Sequence, residues 1–272
     1  MAVSDLSTKD KGIILSLFAT QCYQVPENLF TAKEGIDDLS PLKKFLNKPL
    51  PPTYIDVDGA QAYVMSDKDD VLIACRGTEP TALNDVKADL NTFRMPHPEG
   101  GKVHQGFYGE YEKVIPDIKK ALEKHNKKGT KKVWVCGHSL GGAMAVLVAM
   151  DLKPSGGLYT FGQPRVGNVA FLKLIDFPYY RYVNNNDVVP SVPPAIGGLW
   201  YKHDGKLRYI NTYGNIRKAT PWQRFKDGLR GRWAALKEFK FIDGVADHGM
   251  NYYYQHISNM DDNGEQQERN GS

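Results

Sequence analysis

Gly137-His138-Ser139-Leu140-Gly141-Gly142-Ala143 lies between a short apolar run, Lys132 to Cys136, and a run suited to a buried helix, Ala143 to Leu152. Together these read as strand, sharp turn and helix. The turn carries G-x-S-x-G at Gly137, Ser139 and Gly141. In a chain with 26 glycines that pattern alone says little, so the flanking strand and helix decide it. In such a unit the serine sits at the tip of a strained turn, its hydroxyl exposed above a sheet. The two glycines fall where the strand and helix backbones nearly touch, and a Cβ there would clash. The helix N-terminus aims its N–H groups and positive dipole end at the serine, which favours a developing oxyanion. Ser139 is therefore the candidate nucleophile.

The same alternation extends outward along the chain. Ser7 to Tyr23 reads as a helix, with Ile13, Ile14, Leu17 and Phe18 as its apolar stripe. Residues 24–53 are proline-rich and read as irregular surface structure. Ala60 to Met65 and Val71 to Cys75 read as strands around a turn at Asp67 to Asp70. Phe107 to Glu123 reads as a helix that ends in the basic stretch Lys124 to Lys132. Gly157 to Phe161 and Tyr179 to Val183 read as further strands. Strands alternating with helices predict an α/β fold, with a mainly parallel sheet and helices on both faces.

At 272 residues the chain fits one large domain, assigned to 1–260, followed by a polar, acidic and disordered tail at 261–272. The net charge of +4 is too modest to predict nucleic-acid binding, and no nucleic-acid motif is present. No apolar run reaches the length of a membrane span. The start, Met1 to Lys11, lacks a basic stretch followed by an apolar one, so a cytoplasmic location is expected, with secretion by a leaderless route as the alternative. Cys22, Cys75 and Cys136 are widely spaced and odd in number. They read as thiols rather than a disulfide or zinc framework, with Cys75 and Cys136 buried in apolar strands.

A serine hydroxyl needs a histidine to take its proton and an acid to hold that histidine. In this architecture the acid and then the histidine follow the serine along the chain. His203, His248 and His256 lie far enough beyond Ser139 to fold back to it. His138 neighbours the serine and should point beneath the turn. Asp187 fits the acid, because it follows the strand Tyr179 to Val183 at the carboxyl edge of the sheet, where such sites collect. Asp247 adjoins His248, and adjacent side chains rarely face each other. On residues alone, the histidine stays open between His203 and His248.

Several segments together resemble the class 3 lipases, the fungal-type lipase family of the α/β-hydrolase fold. They are Arg76-Gly77-Thr78, Val103-His104-Gln105-Gly106-Phe107, the Gly137–Ala143 turn and Phe161-Gly162-Gln163-Pro164-Arg165-Val166-Gly167-Asn168. Asp187-Val188-Val189-Pro190 and Asp247-His248 complete the set. The resemblance implies Ser139 as nucleophile, Asp187 as orienting acid and His248 as general base. It implies an oxyanion hole from the backbone N–H of Leu140 and of Thr78. It also implies that His203, in Tyr201-Lys202-His203-Asp204-Gly205, is not catalytic. No cofactor or metal is implied. The expected activity is serine carboxylic ester hydrolysis, as a lipase or esterase cleaving acylglycerols. Phospholipase A1, a feruloyl-type esterase and a catalytically silent lipid-binding module are the alternatives.

Two segments bear on the substrate. Residues 79–90 place Leu83, Val86 and Leu90 at i, i+3 and i+7, a thin apolar stripe, and lack the tryptophan usual in the family's lid. An insert between acid and histidine, residues 191–245, should form a small helical cap or lid near the site. Within 222–240, Trp222, Phe225, Leu229, Trp233 and Leu236 share one helical face, with Arg224, Lys226, Arg230 and Lys237 mostly elsewhere. Such a face either contacts a lipid interface or packs on the domain.

Overall fold

Strands β3 (Asp70–Cys75) and β6 (Lys132–His138) run side by side and parallel, and the rest of the molecule is arranged around that pair. The computed structural model describes residues 2–29, 36, 38–46, 50–77, 93–185, 187–193, 201–210, 216–217 and 248–259. The other strands are β1 (Thr53–Val57), β2 (Ala60–Ser66), β4 (Arg94–Pro96), β5 (Lys102–His104), β7 (Gly157–Phe161), β8 (Gly167–Asn168), β9 (Tyr179–Asn184), β10 (Tyr201–Lys202), β11 (Lys206–Ile210) and β12 (Ile216–Arg217). Among the described residues the main sheet has eight strands in the order β1-β2-β3-β6-β7-β9-β11-β12. Every neighbouring pair from β3 to β11 is parallel, whereas the two edges close with antiparallel partners. This is the α/β-hydrolase arrangement that the sequence predicts.

Burial explains the arrangement. The central strands β3 and β7 are buried at every residue, as expected of strands covered on both faces. Alternate side chains enter different cores. Val71, Ile73, Val135 and Leu158 pack with helices α3 (Gln105–His125) and α4 (Ser139–Leu152). Leu72, Ala74, Trp134, Cys136 and Tyr159 pack on the opposite face with α1 (Thr8–Gln21) and α6 (Met250–Ser258). Helix α1 starts where the sequence places it: the Ser7 hydroxyl accepts from the Asp10 N–H at 3.1 Å, an N-cap worth about 1 kcal/mol. All three cysteines are free and buried, and the Cys22 thiol donates to the Ala19 carbonyl at 3.0 Å.

Some elements were not expected. Residues 24–53 are not uniformly irregular: α2 (Ser40–Leu46) lies there, and β1 begins at its end. Thr53 to Val57 pairs with β2 because the connecting turn, Asp58-Gly59, takes positive φ at both residues and reverses the chain tightly. A second sheet, β10-β8-β5-β4, is built from strands of two or three residues, too short for an alternation to be read. The short helix α5 (Val169–Leu172) follows it. The tail 261–272 and most of the insert 191–245 lie outside the described residues.

One buried histidine sets an acid limit. At the C-terminal end of α3, His125 is hydrogen-bonded at both ring nitrogens, to the Ser66 and Thr53 hydroxyls, each at 2.9 Å. Burial, then the charges of Lys124 and Lys131, push its pKa down to about 4. It therefore folds neutral, while the unfolded chain binds a proton below about pH 6.5. Its contribution is complete above that pH and is lost as pH falls from about 6.5 toward 4, at up to about 1.4 kcal/mol per pH unit. Urea unfolding at pH 7.5, 6 and 5 should show wild type losing more stability across this window than His125→Gln. Equal losses would remove His125 from the account.

Candidate active site

Four parallel strands end at the same edge of the sheet, and each delivers a residue to one place. Gly77 lies just past β3, Ser139 just past β6, Gly162 just past β7 and Asp187 just past β9. His248 arrives from the segment that opens α6.

Ser139 has φ of +57°, a left-handed conformation that costs a non-glycine residue about 1–3 kcal/mol. The glycines around it explain how the turn closes. A Cβ on Gly137 would lie 2.3 Å from the Gly141 carbonyl oxygen, and one on Gly141 would lie 2.3 Å from the Cys75 oxygen. The same closeness holds the Arg76-Gly77 loop against the turn, where a Cβ on Gly77 would meet the His138 oxygen at 2.6 Å. Leu140 opens the first turn of α4, so its N–H points toward the serine's end of the helix. Thr78 lies outside the described residues.

Asp187 and His248 are in contact. The His248 Nδ1–H donates to Asp187 Oδ2 at 2.7 Å, with both side chains fully buried. The second carboxylate oxygen, Oδ1, accepts from the Val189 N–H at 2.9 Å. The loop carrying the acid is held by Arg165, whose guanidinium donates to the Pro193 carbonyl at 2.7 Å and to that of Ser191. His203 lies elsewhere: its Nε2–H donates to the Pro190 carbonyl at 2.7 Å. Burial, then the Arg181 charge, hold His203 well below the usual histidine range, so it is a neutral packing group.

Three contributors to this site are not legible as such in the sequence. Tyr253 donates its hydroxyl to the same Oδ2 of Asp187 and accepts from the Asn184 N–H at 3.0 Å. Burial, then the Asp187 charge, raise its pKa well above normal, so it stays a donor. It falls with Met250 and Ile257 on one helical stripe, a periodicity that reveals burial but not a role for the hydroxyl. His138 does point beneath the turn. Its Nε2 bonds the backbone oxygen of His248 at 2.7 Å.

The third is Gly162. It has φ of +59°, and a Cβ there would lie 2.6 Å from Asp187 Oδ2 and 2.8 Å from His248 Nδ1. Gly162→Ala should therefore strain the backbone and separate the pair together. A loss of kcat/KM of at least about 100-fold is expected, with a destabilisation above about 1 kcal/mol. Steady-state kinetics and thermal melts check it, and an alanine variant with ordinary kinetics would contradict the geometry.

On the reacting side, Ser139 Oγ and His248 Nε2 are both buried and both without a hydrogen-bond partner among the described residues. Leaving a buried polar atom unsatisfied costs about 1–3 kcal/mol. The neighbouring cavity, of about 290 Å³, is lined by Gln61, Arg76, Gly77, Phe107, Leu140 and Met144 among others. It adjoins the first turn of α4 on the Leu140 side.

Residues 72–197 match the family model Lipase (class 3). This stretch of the chain belongs to the class 3 lipase family. Class 3 relatives include a secreted mono- and diacylglycerol lipase of Malassezia globosa, 34% identical over 64% of this chain and 62% of the relative. A lipase of Rhizomucor miehei is 38% identical over 52% of this chain and 41% of that protein. The chain thus spans less than two thirds of the length of each of these curated relatives. A solved triacylglycerol lipase, described as having a serine protease triad as its catalytic centre, superposes with a TM-score of 0.60. It is 26% identical, over 75% of this chain and 82% of that one.

These class 3 relatives correct one expectation. The Malassezia globosa protein is a secreted lipase, which points to an extracellular location rather than the cytoplasmic one read from residues 1–11. The thiols that favoured the cytoplasm carry no such weight, since Cys22, Cys75 and Cys136 are all buried and so shielded in either setting. Residues 79–90 and 222–240 lie outside the described residues.

Proposed function

We propose that this chain is a serine carboxylic ester hydrolase, a lipase or esterase that cleaves acylglycerols through an acyl-enzyme. The observation that carries the reading is that two buried polar atoms at this edge of the sheet are each unsatisfied among the described residues. Ser139 Oγ sits on the left-handed turn, and His248 Nε2 is the free end of an imidazole already held at Nδ1 by Asp187. The Asp187 carboxylate, accepting from Nδ1–H, fixes the tautomer in which Nε2 is bare and can accept a proton.

In this mechanism Ser139 Oγ attacks the ester carbonyl carbon while His248 Nε2 takes its proton. The backbone N–H groups of Leu140 and Thr78 hold the oxyanion. Collapse expels the alkoxide, which takes the proton back from His248. A water deprotonated by His248 then attacks the acyl-enzyme, releases the acid and restores Ser139. The substrate is met at a lipid surface through residues 79–90 and the basic, tryptophan-bearing stretch 222–240. Removing the lysines and arginines of that stretch should weaken activity on anionic vesicles. Unchanged activity there would remove the docking reading alone.

Covalent labelling by a fluorophosphonate, located by mass spectrometry, tests the chemistry directly. Label on Ser139, together with hydrolysis of p-nitrophenyl esters, supports the hydrolase. The optimum from acetate to palmitate then sorts esterase from lipase. A folded protein that neither takes the label nor turns over any ester, with detergent or vesicles present, would instead be a silent binding module.

A further inference from the structure

Beneath the Asp187–His248 pair runs a second line of hydrogen bonds that the proposed reaction does not use. It begins at Tyr23, in the turn that follows α1. That turn is anchored on both sides: the Tyr23 N–H donates to the Thr20 carbonyl at 3.2 Å, and the Gln24 carbonyl accepts from the Tyr63 hydroxyl at 3.0 Å. The Arg76 guanidinium lies 5.6 Å from the centre of the Tyr23 ring, a cation–π distance. Two contacts of the Tyr23 hydroxyl among the described residues bear on the site. It is 2.9 Å from His138 Nδ1, and it lies 2.6 Å from where a Cβ on Gly77 would sit, directly against the oxyanion loop.

The direction of the line follows from chemistry. The backbone oxygen of His248 can only accept, so His138 Nε2, 2.7 Å away, carries the hydrogen. In the neutral ring Nδ1 is then bare, and Tyr23 is the donor. The rings of His138 and His248 lie 4.5 Å apart between centroids, tilted by 32°. Tyr23 to His138 to His248 thus joins three segments: the end of α1, the nucleophile turn and the loop carrying the base.

We propose that Tyr23 is a positioning residue, acting through His138 to hold the oxyanion loop and the His248 loop in register. The inference rests on the serine hydrolase reading above. Its physical weight comes from the distance dependence of catalysis, in which displacement of a group by about 1 Å can cost about 100-fold. Asp187 fixes the His248 ring from one side. Tyr23 and His138 fix its main chain from the other.

Tyr23→Phe deletes the donor and keeps the ring, its packing and its contact with Arg76. With soluble p-nitrophenyl butyrate, kcat should fall about 10-fold while KM stays within about twofold. The melting temperature should stay within about 5 °C of wild type. His138→Gln removes the acceptor that Tyr23 serves, so Tyr23→Phe added to it should cost nothing further. A kcat for Tyr23→Phe within twofold of wild type overturns the inference. So does a double variant in which the two losses multiply. A wild type that neither hydrolyses the ester nor takes a fluorophosphonate label removes the hydrolase reading, and this inference with it. An active wild type with an unaffected Tyr23→Phe removes only the role of Tyr23.

Discussion

Replacing Ser139 by alanine should lower kcat for ester hydrolysis by about a millionfold and raise the melting temperature of the protein. The two effects have separate causes. No other hydroxyl is held on the turn, and in the best-studied triad enzyme loss of the serine costs about 10⁶ in kcat. Stability moves the other way because Ser139 Oγ is a buried polar atom without a partner among the described residues. Its removal relieves about 1–3 kcal/mol of unsatisfied desolvation, while alanine tolerates φ of +57° no worse than serine. Kinetics on p-nitrophenyl esters beside calorimetry would read both. Retained activity would sink the nucleophile assignment. A lower melting temperature would show that the hydroxyl is satisfied in the folded protein after all.

The second large effect should come from Asp187→Asn, at about 10⁴ in kcat with the fold intact. Among the described residues three donors meet this carboxylate: His248 Nδ1–H and the Tyr253 hydroxyl at Oδ2, and the Val189 N–H at Oδ1. Asparagine offers one accepting oxygen. With its oxygen toward Val189, its NH₂ faces His248 and Tyr253. The imidazole answers by shifting its proton to Nε2, where it can no longer accept from Ser139. With the amide turned over, NH₂ opposes the Val189 N–H. That second orientation would leave Nε2 bare, but it sets two donors against each other at Val189 and lacks the carboxylate charge that stabilises the imidazolium. Slow fluorophosphonate labelling with an unchanged melting curve is the expected pattern, and near-normal turnover would remove Asp187 from the mechanism.

What can be read from the chain depends on how local the cause is. The Ser139 turn is legible because strand, glycines and helix are contiguous, and each glycine answers a backbone contact within a few residues or across one strand. The parallel sheet is legible for a similar reason, since strands covered on both faces appear as unbroken apolar runs. Tyr253 is not legible, because it reaches Asp187 across 66 positions. Tyr23 and His138 are 115 positions apart, and neither carries a local sign of the other. Gly162 looks like an ordinary strand-end glycine until the Asp187–His248 pair is seen where its Cβ would be. The second sheet fails for want of length. The choice between His203 and His248 needed a resemblance at the level of sequence, and contact geometry separates the two: one meets a carbonyl, the other a carboxylate.

The three cysteines have a practical consequence. None is at the surface, and desolvation holds the Cys75 and Cys136 thiols far from ionisation. A maleimide or an aromatic disulfide reagent should leave the native protein untouched and modify it only as the structure opens. Cys75 ends β3 and Cys136 lies two residues before the end of β6, the strands that lead to the oxyanion loop and the nucleophile turn, so their reaction reports opening of that part of the sheet. The chain therefore carries its own clock for native-state opening. A single cysteine placed on the surface could be tagged selectively while the three interior ones stay silent.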